Sequence, residues 1–199
     1  NYRNPAVLLQ VIESLLFYVR RGADILRLDA VTYIWAEPGT ESVHLKQTHE
    51  IVKLLRDVMD CVASGVAIVT ETNVPHSDNV SYFGDGFDEA HMVYNFALPP
   101  LVLHTFYRGN SSALSLWAQT MATPSDQTVF LNILDTHDGI GLMGVKGILP
   151  EEEIRYIVET ARQRGGLVSF KMTPDRTEEP YEINSTWWSA VTPDSNEGS

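Results

Sequence analysis

The sequence predicts an α/β protein in which helices alternate with the strands of a parallel sheet. Several segments carry apolar residues at helical spacing, and the short runs between them, such as residues 66–70, are almost entirely apolar. Strands of this kind are buried on both faces, which is typical of a parallel sheet covered by helices. The alternation indicates either a doubly wound sheet or a β/α barrel. Because no glycine-rich phosphate loop follows any predicted strand, a nucleotide-binding sheet is the less favoured of the two.

Local signals give the predicted elements their boundaries. Asn4 and Pro5 are residue types that begin helices, and the helix that they begin is predicted to end before Gly22. The first strand is predicted at residues 25–29. Further strands are predicted at 66–70, 91–94 and 129–134, and further helices at 43–63, 98–107, 113–121 and 151–164. The segment from residue 167 to 191 is mixed and gives no clear element.

Composition excludes several classes of function. Of the 199 residues, 44% are apolar, which is enough for a core, and the net charge of −12 disfavours nucleic acid and anionic membranes as partners. The single cysteine, Cys61, excludes an internal disulfide, and we expect it to be buried in a helix. No group of histidines has the spacing of metal ligands, so no metal is expected. With no signal peptide and no long apolar run, the expected location is the cytoplasm.

Carboxylates follow three of the four predicted strands. Asp29 and Glu71 end the first two strands, and Asp138 comes just after the last. Acidic residues commonly begin loops, so any one of them alone is weak evidence. In β/α barrels, however, catalytic residues lie at the carboxyl ends of the strands. Two carboxylates on either side of a glycosidic bond are the minimum for retaining glycosyl transfer, and a third can stabilise the oxocarbenium-like state.

Two of these carboxylates have neighbours that are open to a structural or a functional interpretation. Arg27 and Asp29 are two residues apart on a strand and therefore share a face. They form either a structural ion pair or a nucleophile that the guanidinium keeps ionised. His137 is either a half-buried structural histidine or, beside a strand-end carboxylate, part of a site. The remaining histidines are expected to be structural or on the surface, with His44 and His49 on a solvated helix.

With these motifs the chain resembles glycoside hydrolase family 13, the α-amylase superfamily, and within it the branch of sucrose phosphorylase and glucosylglycerate phosphorylase. The resemblance runs through nearly the whole chain in consistent order. The matching stretches are Arg27-Leu28-Asp29 and residues 68–73, 96–100, 134–141, 164–169 and 180–185.

The resemblance implies a covalent double displacement. Asp29 would take an α-glucosyl group from a small, sucrose-like α-glucoside while Glu71 protonates the leaving group, and Asp138 would stabilise the transition state. Inorganic phosphate, a co-substrate in a reaction that needs no cofactor, would then release α-glucose 1-phosphate. Water or a sugar as acceptor would instead make the protein a hydrolase or transglucosidase. A noncatalytic member that binds a sugar or a partner is the alternative from another class.

The resemblance also implies the residues that bind substrate. Arg27 and His137, which belong to the matching motifs of Asp29 and Asp138, would bind substrate, and Tyr33 would border the phosphate or acceptor site. Tyr181 and Glu182 would lie in a mobile loop over the same subsite. Sucrose phosphorylases usually carry glutamine at the position of Glu182, and the string from residue 72 to 76 is more typical of relatives that phosphorolyse glucosylglycerate or similar compounds. These two departures concern the fructosyl side of the sucrose reaction and leave the glucosyl chemistry in place. The oligomeric state is left open.

The predicted strands are fewer than the family fold requires. A (β/α)8 barrel has eight strands, and the sequence predicts four, which correspond to strands four to seven with their helices. We therefore interpret residues 1–191 as a partial catalytic β/α-barrel domain and residues 192–199 as a polar tail. The family motif that precedes the Asp29 strand is missing. A piece with open sheet edges exposes unpaired backbone, so we expect it to aggregate or to be inactive alone.

Overall fold

A computed structural model describes residues 2–173 and 176–192, so the predicted polar tail lies, from residue 193 on, outside the described residues. The described helices are α1 (Pro5–Arg20), α2 (Lys46–Val62), α3 (His76–Val80), α4 (Leu98–Arg108), α5 (Ser112–Ala118), α6 (Glu151–Gln163) and α7 (Trp187–Val191). The described strands are β1 (Ile25–Leu28), β2 (Ala67–Thr70), β3 (Met92–Tyr94), β4 (Val129–Leu131), β5 (Ile140–Gly141), β6 (Leu167–Met172) and β7 (Glu178–Asn184).

These elements form two compact units. Unit 1 comprises residues 2–72, 77–94 and 123–131, and unit 2 comprises residues 73–76, 95–122 and 132–192. The assignment of residues 1–191 to one catalytic domain stays a prediction. Among the described residues, no helix combines the length and the apolar character needed to cross a membrane.

Unit 1 is built on a four-stranded sheet whose strands are all parallel and lie side by side in chain order, β1 to β4. Leu26 pairs with Ile68, and Val93 pairs with Phe130. In a doubly wound sheet the strand order reverses at a switch point, whereas a barrel keeps neighbouring strands in sequence. The observed order therefore confirms the α/β class and favours the barrel over the doubly wound sheet.

The core of unit 1 lies between this sheet and helix α2. Ile68 and Val93 of the strands and Val52 and Met59 of the helix are almost completely buried. Leu54 of the same helix, in contrast, is 39% exposed. Burial of this helix face supplies the hydrophobic stabilisation that holds the strands in place, and with them the strand ends that carry the candidate site.

Unit 2 contains a sheet that the sequence did not predict. Strands β5, β7 and β6 are antiparallel, in that spatial order. Leu101, Leu103, Ile140, Ile157 and Ile183 are fully buried in the core of this unit, together with apolar residues of the surrounding helices. β6 and β7 could not be recognised from the sequence because their burial does not alternate and both strands carry charged side chains.

Three side chains in unit 1 differ from their predicted settings. Cys61 is exposed near the end of α2, not buried. His44 and His49 are partly buried: the His44 Nδ1 atom lies 3.0 Å from the Tyr82 hydroxyl, and the His49 Nδ1 atom lies 2.9 Å from the Glu89 Oε2 atom. Glu89 is buried, and a buried carboxylate needs a polar partner. That requirement, which helical periodicity does not reveal, explains why His49 is not solvated.

The imidazole of His91 predicts how stability depends on pH. Its Nδ1 atom accepts a hydrogen bond from the Ile68 backbone N–H at 3.1 Å, which requires the neutral ring. Burial, followed by the charge of Arg56, lowers the pKa of His91, and the charge of Asp60 opposes this shift only in part. Below the ordinary histidine pKa the unfolded chain therefore binds a proton at His91 more readily than the folded chain does. The contribution of neutral His91 to the free energy of unfolding is fully present above that pKa and is lost as the pH falls below it.

We expect the melting temperature of the full-length protein to fall between pH 7 and pH 5, and to fall less in the His91→Asn variant. The asparagine Oδ1 atom can accept the same hydrogen bond but does not titrate. Thermal unfolding of both proteins at the two pH values tests this. An identical fall in both would show that His91 does not contribute to the pH dependence.

Candidate active site

The carboxyl ends of β1 and β2 bring Asp29 and Glu71 together in unit 1. Leu28 and Thr70 are paired in register, and the Glu71 backbone N–H donates to the Leu28 carbonyl at 3.0 Å. Parallel pairing thus sets the first residue after each strand side by side at one edge of the sheet. The Nη2 atom of Arg27 donates to Asp29 Oδ1 at 2.6 Å and lies 3.7 Å from Glu71 Oε2. One guanidinium therefore serves both carboxylates.

The two carboxylates differ in their exposure. The Asp29 side chain is 73% exposed and the Glu71 side chain is 14% exposed. An ion pair as open as Arg27–Asp29 adds little to stability, on the order of 0–1 kcal/mol. Its geometry is therefore poorly explained as a structural device, whereas an accessible carboxylate beside a recessed one is the arrangement that a nucleophile and a proton donor require.

Ala30 is a contributor to the site that the sequence did not indicate. Its backbone is left-handed, with φ 44° and ψ 39°, and its N–H donates to Glu71 Oε2 at 3.0 Å. A non-glycine residue in this conformation costs on the order of 1 kcal/mol. The conformation directs the N–H toward the neighbouring strand end and fixes one oxygen of Glu71. Nothing in the residue type of alanine reveals such a role.

Asp138 and His137 lie in unit 2, in the turn that precedes β5. The turn is closed by backbone hydrogen bonds between Thr136 and Gly139 in both directions. The Asp138 backbone N–H donates to Thr136 Oγ1 at 3.2 Å, and the His137 Nε2 atom lies 3.4 Å from Asp138 Oδ2. Both side chains are exposed. The preceding strand ends at Leu131, earlier than predicted, so Asp138 is placed by this turn and not by the strand itself.

Gly139 allows this turn to approach the neighbouring strand. Its φ is +123°, and a Cβ atom there would lie 2.1 Å from the Ile183 carbonyl oxygen.

We expect Gly139→Ala to destabilise the protein by about 2–4 kcal/mol, because a strained φ adds to a backbone clash. Gly147→Ala is the matched control: its φ is +78°, but a Cβ atom would meet nothing within 4 Å, so only about 1 kcal/mol is expected. Urea unfolding measures both, and equal losses would contradict the steric argument.

The remaining predicted substrate residues fall in both units. Tyr33 is exposed and ends a short 3-10 helix, Val31–Tyr33, that follows β1 in unit 1. Tyr181 and Glu182 belong to β7, the central strand of the antiparallel sheet in unit 2. Glu182 pairs in register with Gly141 and with Ser169. The resemblance had implied a mobile loop for these two residues; the structure corrects this, since both are held in a strand by sheet pairing.

The described residues contain no group of three or more histidine, cysteine or acidic side chains arranged to hold a metal ion. The chemistry that the Arg27–Asp29–Glu71 cluster can perform is acid–base and nucleophilic. A carboxylate next to a cation can attack an electrophilic carbon, and a recessed carboxyl beside it can deliver a proton.

Comparison with known proteins identifies the relatives of this chain. No protein-family model matches the chain. The chain is 54% identical over 191 residues to the glucosylglycerate phosphorylase of Escherichia coli (strain K12), a match that covers 96% of this chain and 34% of that protein. It is 34% identical over 173 residues to the sucrose phosphorylase of Streptococcus mutans serotype c, covering 85% of this chain and 34% of that protein.

A solved structure supports the fold. The crystal structure of the sucrose 6F-phosphate phosphorylase from Thermoanaerobacter thermosaccharolyticum matches with a TM-score of 0.82 at 22% identity, over 96% of this chain and 38% of that one. The prediction of a partial β/α barrel is thereby confirmed. The chain belongs to glycoside hydrolase family 13, the α-amylase superfamily, and within it is similar to glucosylglycerate phosphorylase and sucrose phosphorylase. It spans about a third of the length of the curated relatives that it matches.

Proposed function

We propose that this chain carries the nucleophile and the acid/base of a retaining α-glucoside phosphorylase. The enzyme would transfer an α-glucosyl group from a small α-glucoside to inorganic phosphate and release α-glucose 1-phosphate. One observation carries the proposal: Arg27 contacts Asp29 at 2.6 Å and lies 3.7 Å from Glu71, at adjacent ends of parallel strands. The two carboxylates that glycosyl transfer requires are thus held together around one cation.

In the first half of the reaction, Asp29 attacks the anomeric carbon of the donor. The bond from that carbon to the leaving oxygen breaks, and the oxygen takes the proton of Glu71. Arg27 donates to Asp29 Oδ1 at 2.6 Å and so orients the carboxylate that attacks. The product is a β-glucosyl ester of Asp29. Asp138 is assigned the stabilisation of the oxocarbenium-like state through the sugar hydroxyls.

In the second half of the reaction, phosphate displaces Asp29 from the glucosyl group. A phosphate oxygen attacks the anomeric carbon, the bond to Asp29 breaks, and Glu71 accepts the proton of the phosphate hydroxyl. Two inversions restore the α configuration. We propose that Arg27 and His137 bind the glucosyl group. Tyr33, Tyr181 and Glu182 would bind on the side of the phosphate or acceptor. Phosphate is a co-substrate in this scheme, and no cofactor takes part.

Among α-glucosides we propose glucosylglycerate, rather than sucrose, as the donor. The chain is 54% identical to a glucosylglycerate phosphorylase and 34% identical to a sucrose phosphorylase. The string that follows the acid/base, residues 72–76, resembles the glucosylglycerate relatives. Glu182, where sucrose phosphorylases usually carry glutamine, agrees with a donor other than sucrose.

The test is an assay of the full-length protein with glucosylglycerate or sucrose, with and without phosphate. We expect α-glucose 1-phosphate to form only when phosphate is present, and faster from glucosylglycerate. Free glucose without phosphate would identify a hydrolase, and a disaccharide product would identify a transglucosidase. A faster reaction with sucrose would overturn the donor assignment alone. No turnover of any α-glucoside would favour the noncatalytic alternative and overturn the proposal.

A further inference from the structure

A buried hydrogen-bonded link starts at the residue that follows Glu71 in unit 1. The hydroxyl of Thr72 donates to Asn79 Oδ1, and Asn79 Nδ2 donates to the Tyr94 carbonyl oxygen at 2.7 Å. Thr72 and Asn79 are each 1% exposed. Amide and hydroxyl groups at this depth are costly unless they are paired, so the link fixes the positions of its members.

The link begins where sheet pairing ends. Strand β2 stops at Thr70, and the last backbone hydrogen bond from it to β1 is the one between the Glu71 N–H and the Leu28 carbonyl. Beyond that bond, the residue after Glu71 is held by its own side chain, because the Thr72 hydroxyl donates to Asn79 Oδ1. The direction of the Glu71 carboxyl therefore depends on Asn79, the partner of that side chain.

The far end of the link returns to the same site. Tyr94 is the last residue of β3, and the Arg27 guanidinium carbon lies 5.7 Å from the centre of its ring. Arg27 in turn lies 3.7 Å from Glu71. The ends of β1, β2 and β3 are thus joined in a closed series of contacts that runs through Asn79.

We propose that Asn79 is a positioning residue for the acid/base Glu71, acting through Thr72. The proposal rests on the function proposed above. Asn79 touches neither substrate nor reacting atoms; it fixes the angle at which the Glu71 carboxyl meets the leaving oxygen. Its loss should therefore impair proton donation and spare the attack by Asp29.

Leaving groups separate these two effects. The alkoxide of glucosylglycerate needs a proton to depart, whereas the fluoride of α-glucosyl fluoride departs with little assistance. We expect Thr72→Val and Asn79→Ala to lower kcat/KM for glucosylglycerate by about 10-fold to 100-fold and that for α-glucosyl fluoride by less than about 3-fold. The double variant should be no worse than the poorer single one, because both remove the same link.

Two control variants belong to the same segment. Thr70→Val removes a fully buried hydroxyl that has no hydrogen-bond partner among the described residues, and it should leave both rates unchanged. Thr72→Ser keeps the hydroxyl and should restore most of the activity lost in Thr72→Val. Equal losses with both substrates would mean a merely structural role and would overturn the proposal, as would rates equal to those of Thr70→Val.

Glu71→Gln distinguishes a failure of this inference from a failure of the proposed function. If that variant has lost turnover of glucosylglycerate while Thr72→Val behaves like Thr70→Val, only the positioning role is overturned. If Glu71→Gln retains turnover, Glu71 is not the acid/base, and the inference falls with the proposed function. Melting temperatures of all the variants show whether each one is folded.

Discussion

Replacing Asp29 by alanine in the full-length protein is expected to abolish glucosyl transfer, lowering kcat/KM by at least about 10⁴-fold. Without this carboxylate no β-glucosyl ester can form, and neither half of the reaction can proceed. Release of α-glucose 1-phosphate from glucosylglycerate and phosphate is the measurement. Mass spectrometry of the protein after incubation with donor alone should show a covalent hexose on the unaltered protein and none on the variant.

The loss should not come from unfolding. The Asp29 side chain is 73% exposed, and so open an ion pair with Arg27 contributes on the order of 0–1 kcal/mol. Asp24→Ala is a matched control, since Asp24 is an exposed carboxylate just before the opposite end of β1. It should retain full activity. An active Asp29→Ala protein would contradict the assignment of the nucleophile.

Replacing Glu71 by glutamine is expected to lower kcat/KM for glucosylglycerate by about 10²-fold to 10⁴-fold, the usual contribution of general acid–base catalysis. Glutamine fills the same space and can accept the Ala30 N–H, but it has no proton to give to a leaving alkoxide. Steady-state kinetics with a series of donors tests this. The loss should be greatest for the poorest leaving group and small for α-glucosyl fluoride in the glucosyl-enzyme step.

Glu50→Gln is the control for charge. Glu50 is exposed on α2. Its neutralisation should change kcat/KM neither for glucosylglycerate nor for α-glucosyl fluoride. An equal loss in Glu71→Gln across all leaving groups would contradict the proton-transfer role, because a general acid matters in proportion to the need of the leaving group for a proton.

The strands of unit 1 were predictable because burial on both faces selects continuous apolar runs, and such runs are visible in a single sequence. The hairpin of β6 and β7 was not. Apart from the buried Ile183, its residues are partly or fully exposed. Pro180, a residue type usually confined to strand edges or bulges, lies within β7 next to a register shift between Ser169 and Phe170. Its stability comes from contacts within unit 2, which the sequence does not show directly.

The candidate site was predictable to the extent that chemistry depends on residue type. Asp29 and Glu71 were identifiable as carboxylates after apolar strands, and their proximity followed from parallel pairing. The Ala30 N–H and the Asn79 link were not identifiable, since one depends on a backbone dihedral angle and the other on a contact between residues of three separate segments. Exposure of Cys61 was missed for a similar reason: the helix position alone did not show which side the core would cover.

The position of Arg27 between two carboxylates has a consequence for how charge moves during turnover. If Asp29 and Glu71 act as proposed, the first half-reaction removes the charge of Asp29 and creates one on Glu71, and the second half-reaction reverses this. The single negative charge would migrate between two groups that lie 2.6 Å and 3.7 Å from the same guanidinium. One counter-ion would therefore serve both the outward and the return transfer.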